Sequence, residues 1–294
     1  MKKQTFDHEK LCDTLQELQK DPAVQLLTLG KSILGREIPL LSLGKGRRAA
    51  LYVGGIRGTE GDAARLLTDF AADYLRQLRR NASVFEHSMQ YLFEERRIYL
   101  VPMLDPDGVS YAKDGVGEEN PLYERLLRMN GGVDFSAWQA NGRGVDLGHN
   151  FDAGFPQRKK QEREQGIAGG APSGYSGEYP ESEPETAALC RFLRMKREEI
   201  CGVMAFHLGA GEIFCDCGDR LTAKTVSAGR VISRFTGYRM ARPESLSAIG
   251  SLSDWCISAL ARPAFTLKCD PEEGNFSLMY ERLRRLLFSF PCIV

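Results

Sequence analysis

The chain has 294 residues, and 39 lysines and arginines balance 39 aspartates and glutamates, so its formal net charge is zero. This balance excludes the basic excess of a nucleic-acid binder and an acidic solvating tail. The hydrophobic share of 43% and the charged share of 27% are ordinary for a globular protein with a sizeable core.

The N-terminal residues carry no secretory signal. The basic tip at residues 1–3 has no apolar stretch after it, and no run of 18 apolar residues occurs in the sequence. We therefore expect a cytoplasmic protein that does not contact a membrane. The eight cysteines form no CxxC pair and indicate small buried side chains. Cys215-Asp216-Cys217 offers two thiols without a partner cluster, so a thiol metal site is not favoured.

Apolar periodicity predicts strands that alternate with helices. In chain order these are a helix at 11–20, strands at 36–43 and 49–53, a helix at 60–80, a strand at 98–103, a turn at 105–108, strands at 202–206 and 264–267, and a helix at 276–288. Ser182 and Glu185 indicate a capping box for one more helix, with Pro184 in its first turn. The pattern predicts one α/β domain with a sheet covered on both faces.

One polar segment interrupts this pattern. Residues 156–177 are rich in charge, glycine, serine and glutamine, and we predict a long surface loop within a single domain spanning 1–294. The charge run at 158–164 is interpreted as a solvated face rather than a partner site.

Functional groups of open α/β sheets lie at the carboxyl ends of strands, which makes four segments informative. They are Val53–Glu60, Gly144–Phe151, Ala205–His207 and Phe265–Lys268. Further segments with a recognisable pattern are Gly30–Arg36, Val101–Gly108 and Tyr179–Thr186.

In their order and spacing these segments resemble the zinc carboxypeptidase family, and more narrowly its bacterial branch that acts on peptidoglycan peptides. They match the family's "GxSxxGR", "NPDG", "RGVDLNxNF" and "PESEPET" stretches, and the resemblance spans about Gly30 to Leu287. It implies an α/β fold with a mixed, mainly parallel, twisted sheet of about eight strands and helices on both faces.

The resemblance also implies a catalytic zinc with three protein ligands and a separate glutamate as general base. The family's "HxxE" pair falls on Arg57 and Glu60, its distant histidine on His207, and its general-base glutamate on Lys268. Two of the four positions are therefore altered.

Neither altered residue suits its position. A guanidinium has no lone pair for a metal, so Arg57 cannot be a ligand. An ammonium at Lys268, about 5 Å from a dication at an effective dielectric of ~20, is repelled by roughly 6–7 kcal/mol. Without a metal, Arg57, Lys268 and Glu60 sum to a charge of +1. We hypothesise that the pocket holds no catalytic zinc, that Arg57 pairs with Glu60, and that no cofactor is needed unless the protein is a zinc enzyme.

The implied substrate-binding positions depart from the family too. Its "DLNRN" asparagine and arginine fall on Gly148 and His149, and its oxyanion-stabilising arginine falls near Gln139. The nearest equivalent of a family tyrosine that precedes the last catalytic strand is about Leu246.

Structural interpretations stand beside these functional ones. His207 alone is typical of a satisfied core histidine, and Glu60 of a first-turn carboxylate. A one-residue slip of the strand would bring Cys269 rather than Lys268 to the pocket. His149 is interpreted as a polar pocket residue rather than a replacement zinc ligand.

Three function hypotheses follow. The leading one is a pseudoenzyme with a zinc-site remnant, which does not hydrolyse but binds a peptide, a murein-peptide carboxylate or a small anion. The second is an active metallocarboxypeptidase with an atypical zinc site, using His149 or a water as a substitute ligand and an unprotonated Lys268 as base. The third is a scaffold with a filled pocket. A ligand that binds between Arg57 and Lys268 distinguishes the first from the third.

Overall fold

The computed structural model describes residues 6–215, 221–241, 249–271 and 275–294. Its strands are β1 (Val24–Lys31), β2 (Glu37–Leu43), β3 (Arg48–Val53), β4 (Ser83–Val84), β5 (His87–Ser88), β6 (Arg96–Val101), β7 (Ile200–Leu208), β8 (Glu212–Phe214), β9 (Arg239–Met240) and β10 (Ala264–Cys269). Its α-helices are α1 (His8–Leu18), α2 (Gly61–Arg79), α3 (Met89–Glu95), α4 (Pro106–Asp114), α5 (Tyr123–Asn130), α6 (Phe155–Glu164), α7 (Pro184–Met195), α8 (Ala223–Thr236), α9 (Leu252–Leu260) and α10 (Phe276–Ile293). A short 3₁₀ helix, η1, spans Leu147–His149.

Eight of the strands form one mixed sheet in the order β1-β2-β6-β3-β7-β10-β8-β9. Its centre, from β6 through β3 and β7 to β10, is parallel, and antiparallel pairs flank it on both sides. The prediction of a single α/β domain with a mainly parallel sheet is confirmed. Parallel strands direct their carboxyl ends to one edge, so residues that follow β3, β7 and β10 meet there.

Helices cover both faces of this sheet, as predicted. One face packs against α1, α2, α3, α8 and α10, and the other packs against α7 and α9. Alternation along β3 explains the division, because Tyr52 faces the first layer while Leu51 and Val53 face the second. The hydroxyl of Tyr52 donates to the carbonyl of Leu287 at 2.7 Å and ties β3 to α10.

Two local predictions were wrong. The predicted turn at 105–108 is the start of α4, with Asp105 as the N-cap residue whose carboxylate accepts from the Gly108 amide at 2.8 Å. The capping box of Ser182 and Glu185 is not formed. Glu183 occupies the N-cap of α7 without a side-chain cap, and Glu185 accepts instead from the Ile33 amide at 3.1 Å. The Glu185 carboxylate that a capping box requires is bound by the amide of Ile33, which is distant in the sequence.

The predicted surface loop at 156–177 contains α6. No apolar periodicity marks this helix, because its buried side chains are Phe155 and two charged residues, Arg158 and Glu162. Glu162 accepts from the Ser176 amide at 2.7 Å, so hydrogen bonds rather than apolar contacts hold the helix in place. The interpretation of 158–164 as a solvated face is therefore corrected for Arg158 and Glu162, which are buried.

No helix within the described ranges is long and apolar enough to cross a membrane. The cytoplasmic location stays a prediction. The seven cysteines in the described residues are free thiols, and four of them are buried. Asp216 and Cys217 lie outside the described residues, so the thiol pair considered with Cys215 is not tested.

Candidate functional site

The turn that follows β3 carries the first two residues of the site. It runs from Gly54 to Glu60 between the end of β3 and the start of α2. Gly58 lies so close to neighbouring backbone that a Cβ there would be 2.5 Å from the carbonyl oxygens of Gly108 and Trp138. Only glycine allows this close contact, so the turn packs tightly against the neighbouring backbone. Arg57 in this turn lies at the carboxyl edge of the sheet.

Glu60 and His207 are in direct contact. Glu60 is the N-cap residue of α2, yet its side chain makes no cap hydrogen bond. Its Oε1 lies 2.8 Å from Nδ1 of His207, near the end of β7, and its Oε2 accepts from the backbone amide of Arg57 at 3.2 Å. Both side chains are buried. Glu60 is therefore both a carboxylate at a helix N-terminus and the partner of His207.

The guanidinium of Arg57 pairs with Asp146 and not with Glu60. Arg57 Nε donates to Asp146 Oδ1 at 3.2 Å, whereas only the backbone amide of Arg57 reaches Glu60. The predicted Arg57–Glu60 ion pair is thus wrong, because Glu60 is engaged by His207 and the buried Asp146 requires a counter-charge. The negative charge of Asp146 raises the pKa of Arg57, against the effect of burial. Burial alone would raise the pKa of Asp146, but the positive charge of Arg57 helps to hold that pKa below its usual value.

Gly148 lies directly beneath this guanidinium. A Cβ on Gly148 would be 3.1 Å from Arg57 Nη2 and 3.1 Å from Asp146 Oδ1. The backbone amide of Gly148 donates to the same Asp146 oxygen at 3.0 Å. The resemblance implied that position 148 binds substrate, but Gly148 instead contacts Arg57 and Asp146 and helps to position the guanidinium.

His149 contacts Arg57 as a neutral imidazole. Its Nδ1 lies 3.0 Å from the carbonyl of Ile249, which can only accept, so Nδ1 carries the proton. The Nε2 lone pair then faces Arg57 Nη2 at 3.4 Å. Burial lowers the pKa of His149 to about 4, and the positive charge of Arg57 acts in the same direction.

Lys268 stands beside His207 on the neighbouring strand. The two residues are in register between β10 and β7, which places their side chains on the same face of the sheet. Lys268 Nζ lies 4.7 Å from the centre of the Phe214 ring, and no acidic partner of Lys268 occurs in the described part of the chain. The alternative register is not observed, since Cys269 is buried in the core on the other face.

Gln139 borders the site through its backbone. Its carbonyl accepts from the Gly58 amide at 3.2 Å and its amide donates to the Pro172 carbonyl at 2.8 Å, so it stands next to the Arg57 turn. The Gln139 side chain is half-buried. Leu246, considered for the tyrosine position, lies outside the described residues.

Sequence reasoning missed Asp146 and Arg158. Asp146 stood within a recognised motif, but nothing in the sequence indicated Arg57 as its partner. Arg158 is 4% exposed and donates to the Gly174 carbonyl, while the Gly174 amide donates to Asp146 Oδ2 at 3.0 Å. The positive charge of Arg158 also favours neutral His149. A polar run with no apolar periodicity gave no signal for this burial.

Asp146 changes the charge of the site. Two cations, Arg57 and Lys268, are matched by two anions, Glu60 and Asp146. The excess of one positive charge predicted without Asp146 is therefore cancelled. Binding of an anion must then depend on directed N–H donors rather than on net charge.

The remaining motifs meet in a polar network below the site. Arg143 donates to both carboxylate oxygens of Glu183, and Arg36 donates to Asp107 at 2.6 Å. Burial raises the pKa of Glu185 to about 8. These contacts join segments far apart in the sequence and fix the loops that carry Asp146.

The residues present do not fit a catalytic zinc. Such a zinc needs three protein ligands and an open position, and in the described part of the chain only Glu60 and His207 meet as donors. The third position is filled by a guanidinium, which has no lone pair. Across the described ranges, no group of three or more histidines, cysteines, aspartates or glutamates is placed to hold a metal.

The chain is similar to known zinc carboxypeptidases in sequence and structure. Residues 9–283 match the sequence pattern of the family described as "Zinc carboxypeptidase". The chain is 27% identical over 267 residues to gamma-D-glutamyl-L-diamino acid endopeptidase 1 of Lysinibacillus sphaericus, covering 90% of this chain and 65% of that protein. The chain thus spans just under two thirds of that relative's length.

Two solved structures share the fold. Bovine thrombin-activatable fibrinolysis inhibitor, in complex with tick carboxypeptidase inhibitor, superimposes with a TM-score of 0.69 at 18% identity, covering 99% of this chain and 96% of that one. Murein-tripeptide amidase MpaA from Escherichia coli O157 gives a TM-score of 0.56 at 18% identity, with 92% of each chain covered. With the match of the family pattern over nearly its whole length, the chain belongs to the zinc carboxypeptidase family.

Proposed function

We propose that this chain is a non-hydrolytic member of its family that binds a peptide or murein-peptide carboxylate. The observation that carries the proposal is the guanidinium of Arg57, which fills the first metal-ligand position and is paired with Asp146. An arginine that is already bound to a buried carboxylate has no route to becoming a metal ligand.

The general-base position supports the same conclusion. Lys268 takes the place of the family's glutamate and lies in register with His207. It offers no carboxylate to accept a proton from water, and its cation repels a metal held at His207 by several kcal/mol at an effective dielectric of ~20. Both changes act against hydrolysis, so restoring one residue alone leaves the other defect.

Directed donors support binding of a carboxylate. Arg57 uses Nε for Asp146 and Nη2 for His149, and its Nη1 has no hydrogen-bond partner in the described residues. Lys268, without an acidic partner in the same part of the chain, supplies a second donor. A planar carboxylate suits such donors, and the names of the two bacterial relatives suggest a γ-D-glutamyl or murein peptide as its source.

The enzyme alternative requires His149 as a substitute ligand. The lone pair of His149 Nε2 faces Arg57 Nη2 at 3.4 Å, so a metal there would meet a guanidinium. This arrangement does not favour an active zinc site. Neither nucleic acid nor a membrane is proposed as a partner.

The proposal is tested with the purified protein and the dipeptide γ-D-glutamyl-L-lysine. We expect less than about 0.1 zinc per chain by metal analysis, no hydrolysis of the dipeptide, and saturable binding by calorimetry that is lost when both carboxylates are amidated. Zinc at one per chain, lost in His207→Ala together with hydrolysis, would sink the proposal. Absence of both hydrolysis and binding would instead support the hypothesis of a scaffold with a filled pocket.

A further inference from the structure

The volume above Gly148 is taken by the guanidinium of Arg57. A Cβ on Gly148 would lie 3.1 Å from Arg57 Nη2, 3.2 Å from Arg57 Nε and 3.1 Å from Asp146 Oδ1. Gly148 is not among the glycines with positive φ, so its backbone accepts an ordinary side chain. Only its occupied surroundings, and not its conformation, oppose a side chain at this position.

Two side chains hold the guanidinium in place. Asp146 accepts from its Nε, and His149 Nε2 faces its Nη2. Asp146 is itself fixed, because its two oxygens also accept from the amides of Gly148 and Gly174 at 3.0 Å each. A side chain clamped by such fixed partners is preorganised and loses little entropy when it binds.

One edge of the guanidinium stays open. Arg57 Nη1 has no hydrogen-bond partner in the described residues, and 23% of the Arg57 side chain is exposed. Nη2 carries two hydrogens and uses one towards His149, so one hydrogen on Nη2 and both on Nη1 are left for a ligand. Donors on the two terminal nitrogens of a guanidinium suit the two oxygens of a carboxylate.

We infer that Arg57 and Gly148 form a coupled pair, in which the missing side chain at 148 makes room for the guanidinium, whose open edge binds the ligand's carboxylate. Two departures from the family pattern thereby become one change. The carboxylate-binding part rests on the proposed function, whereas the coupling does not.

The coupling is tested without any ligand, by the melting temperatures of four proteins. We expect Gly148→Asn to lower the Tm of the wild type by at least about 3 °C, but that of Arg57→Ala by about 1 °C, because two of the three close contacts are then gone and only the one with Asp146 Oδ1 remains. If Gly148→Asn fails to fold, Gly148→Ala gives the smaller step. Gly132→Asn is the matched control, since nothing lies within 4 Å of a Cβ there, and its Tm should not change. Equal losses in both backgrounds would refute the coupling.

Carboxylate binding is tested by calorimetry with γ-D-glutamyl-L-lysine. We expect Arg57→Ala and Gly148→Asn each to weaken binding about tenfold or more, and the double variant to bind no more weakly than either. Arg57→Lys, which keeps the charge but not the fork, should also bind weakly. Wild-type affinity in Arg57→Ala, or no binding by the wild type, would overturn this part and leave the coupling to the melting temperatures.

Discussion

At the scale of single residues, the central feature of the site is the ion pair between Arg57 and Asp146. Asp146 is 1% exposed, and its Oδ1 accepts from Arg57 Nε. Removing one partner of a buried pair leaves the other charge uncompensated, which costs more than the pair contributes. The pair therefore matters for stability even if it adds little compared with an apolar replacement.

Asp146→Asn removes this counter-charge with little change of shape. We expect the free energy of unfolding at neutral pH to fall by about 2–4 kcal/mol, because Arg57 is left without its anion. Denaturant titration measures the change. Asp13→Asn on the exposed side of α1 is the control, with an expected change below about 0.5 kcal/mol. Equal, small effects of the two substitutions would contradict the pairing.

The neutral state of His149 predicts a dependence of stability on pH. Its pKa is lowered from 6.5 to about 4 in the folded protein, so the unfolded chain binds more protons between these values. The free energy of unfolding should therefore fall as the pH drops from 6.5 towards 4, by up to about 3 kcal/mol from this group.

His149→Asn removes the titrating group and can keep a donor for the Ile249 carbonyl. The difference in unfolding free energy between wild type and variant, measured from pH 7 to pH 4, isolates the contribution of His149 from that of other groups. We expect the wild type to lose its advantage as the pH falls. A difference that is the same at every pH would show that His149 titrates normally.

At the scale of elements, α6 shows how a helix can be held by charged side chains. Glu162 is 2% exposed and accepts from the Ser176 amide and from Lys159. Arg158 extends the contact to Gly174, whose amide bonds Asp146. The helix is thereby linked to the carboxylate that holds Arg57.

Glu162→Ala tests this link. We expect a loss of about 2–4 kcal/mol of unfolding free energy, since the Ser176 amide loses a buried acceptor and the Arg158 guanidinium loses the anion it pairs with. Glu164→Ala on the same helix is the matched control, because Glu164 is 63% exposed and its pair with Lys160 is expected to contribute less than about 1 kcal/mol. Similar losses from both variants, in a denaturant titration, would argue against a structural role for the buried carboxylate.

At the scale of the whole molecule, the fold rests mainly on its apolar core. Two apolar layers enclose the sheet, and in the larger layer the buried rings of Phe70 and Phe206 both pack against Tyr52. Burial of this kind contributes most of the stability of a domain of this size. The site can thus lose its metal chemistry while the scaffold persists.

We therefore expect the Tm of the purified protein to be unchanged by a chelator or by added zinc. A metal that binds only the folded state at a hundred times its Kd would add about 2.7 kcal/mol. The variant Arg57→His with Lys268→Glu is the positive control, and its Tm should rise with zinc. A zinc-dependent rise in the wild type that disappears in His207→Ala would contradict the prediction.

The sequence alone determined several of the elements and the family. Apolar periodicity is a local property, so β2 and β3 begin within one residue of their predicted starts and α2 begins one residue after its own. The order of the motifs indicated the fold and placed Arg57 and Lys268 in altered positions. These conclusions needed no knowledge of contacts between distant residues.

Only the tertiary structure decided how the altered residues are satisfied. Arg57 and Asp146 are 89 positions apart, and the choice between Asp146 and Glu60 depended on which carboxylate was already engaged. The role of Gly148 followed from the volume that its missing side chain leaves to the guanidinium. Burial, hydrogen-bond competition and close packing are properties of the folded chain, so the pattern of residues showed which positions had changed but not what replaced their contacts.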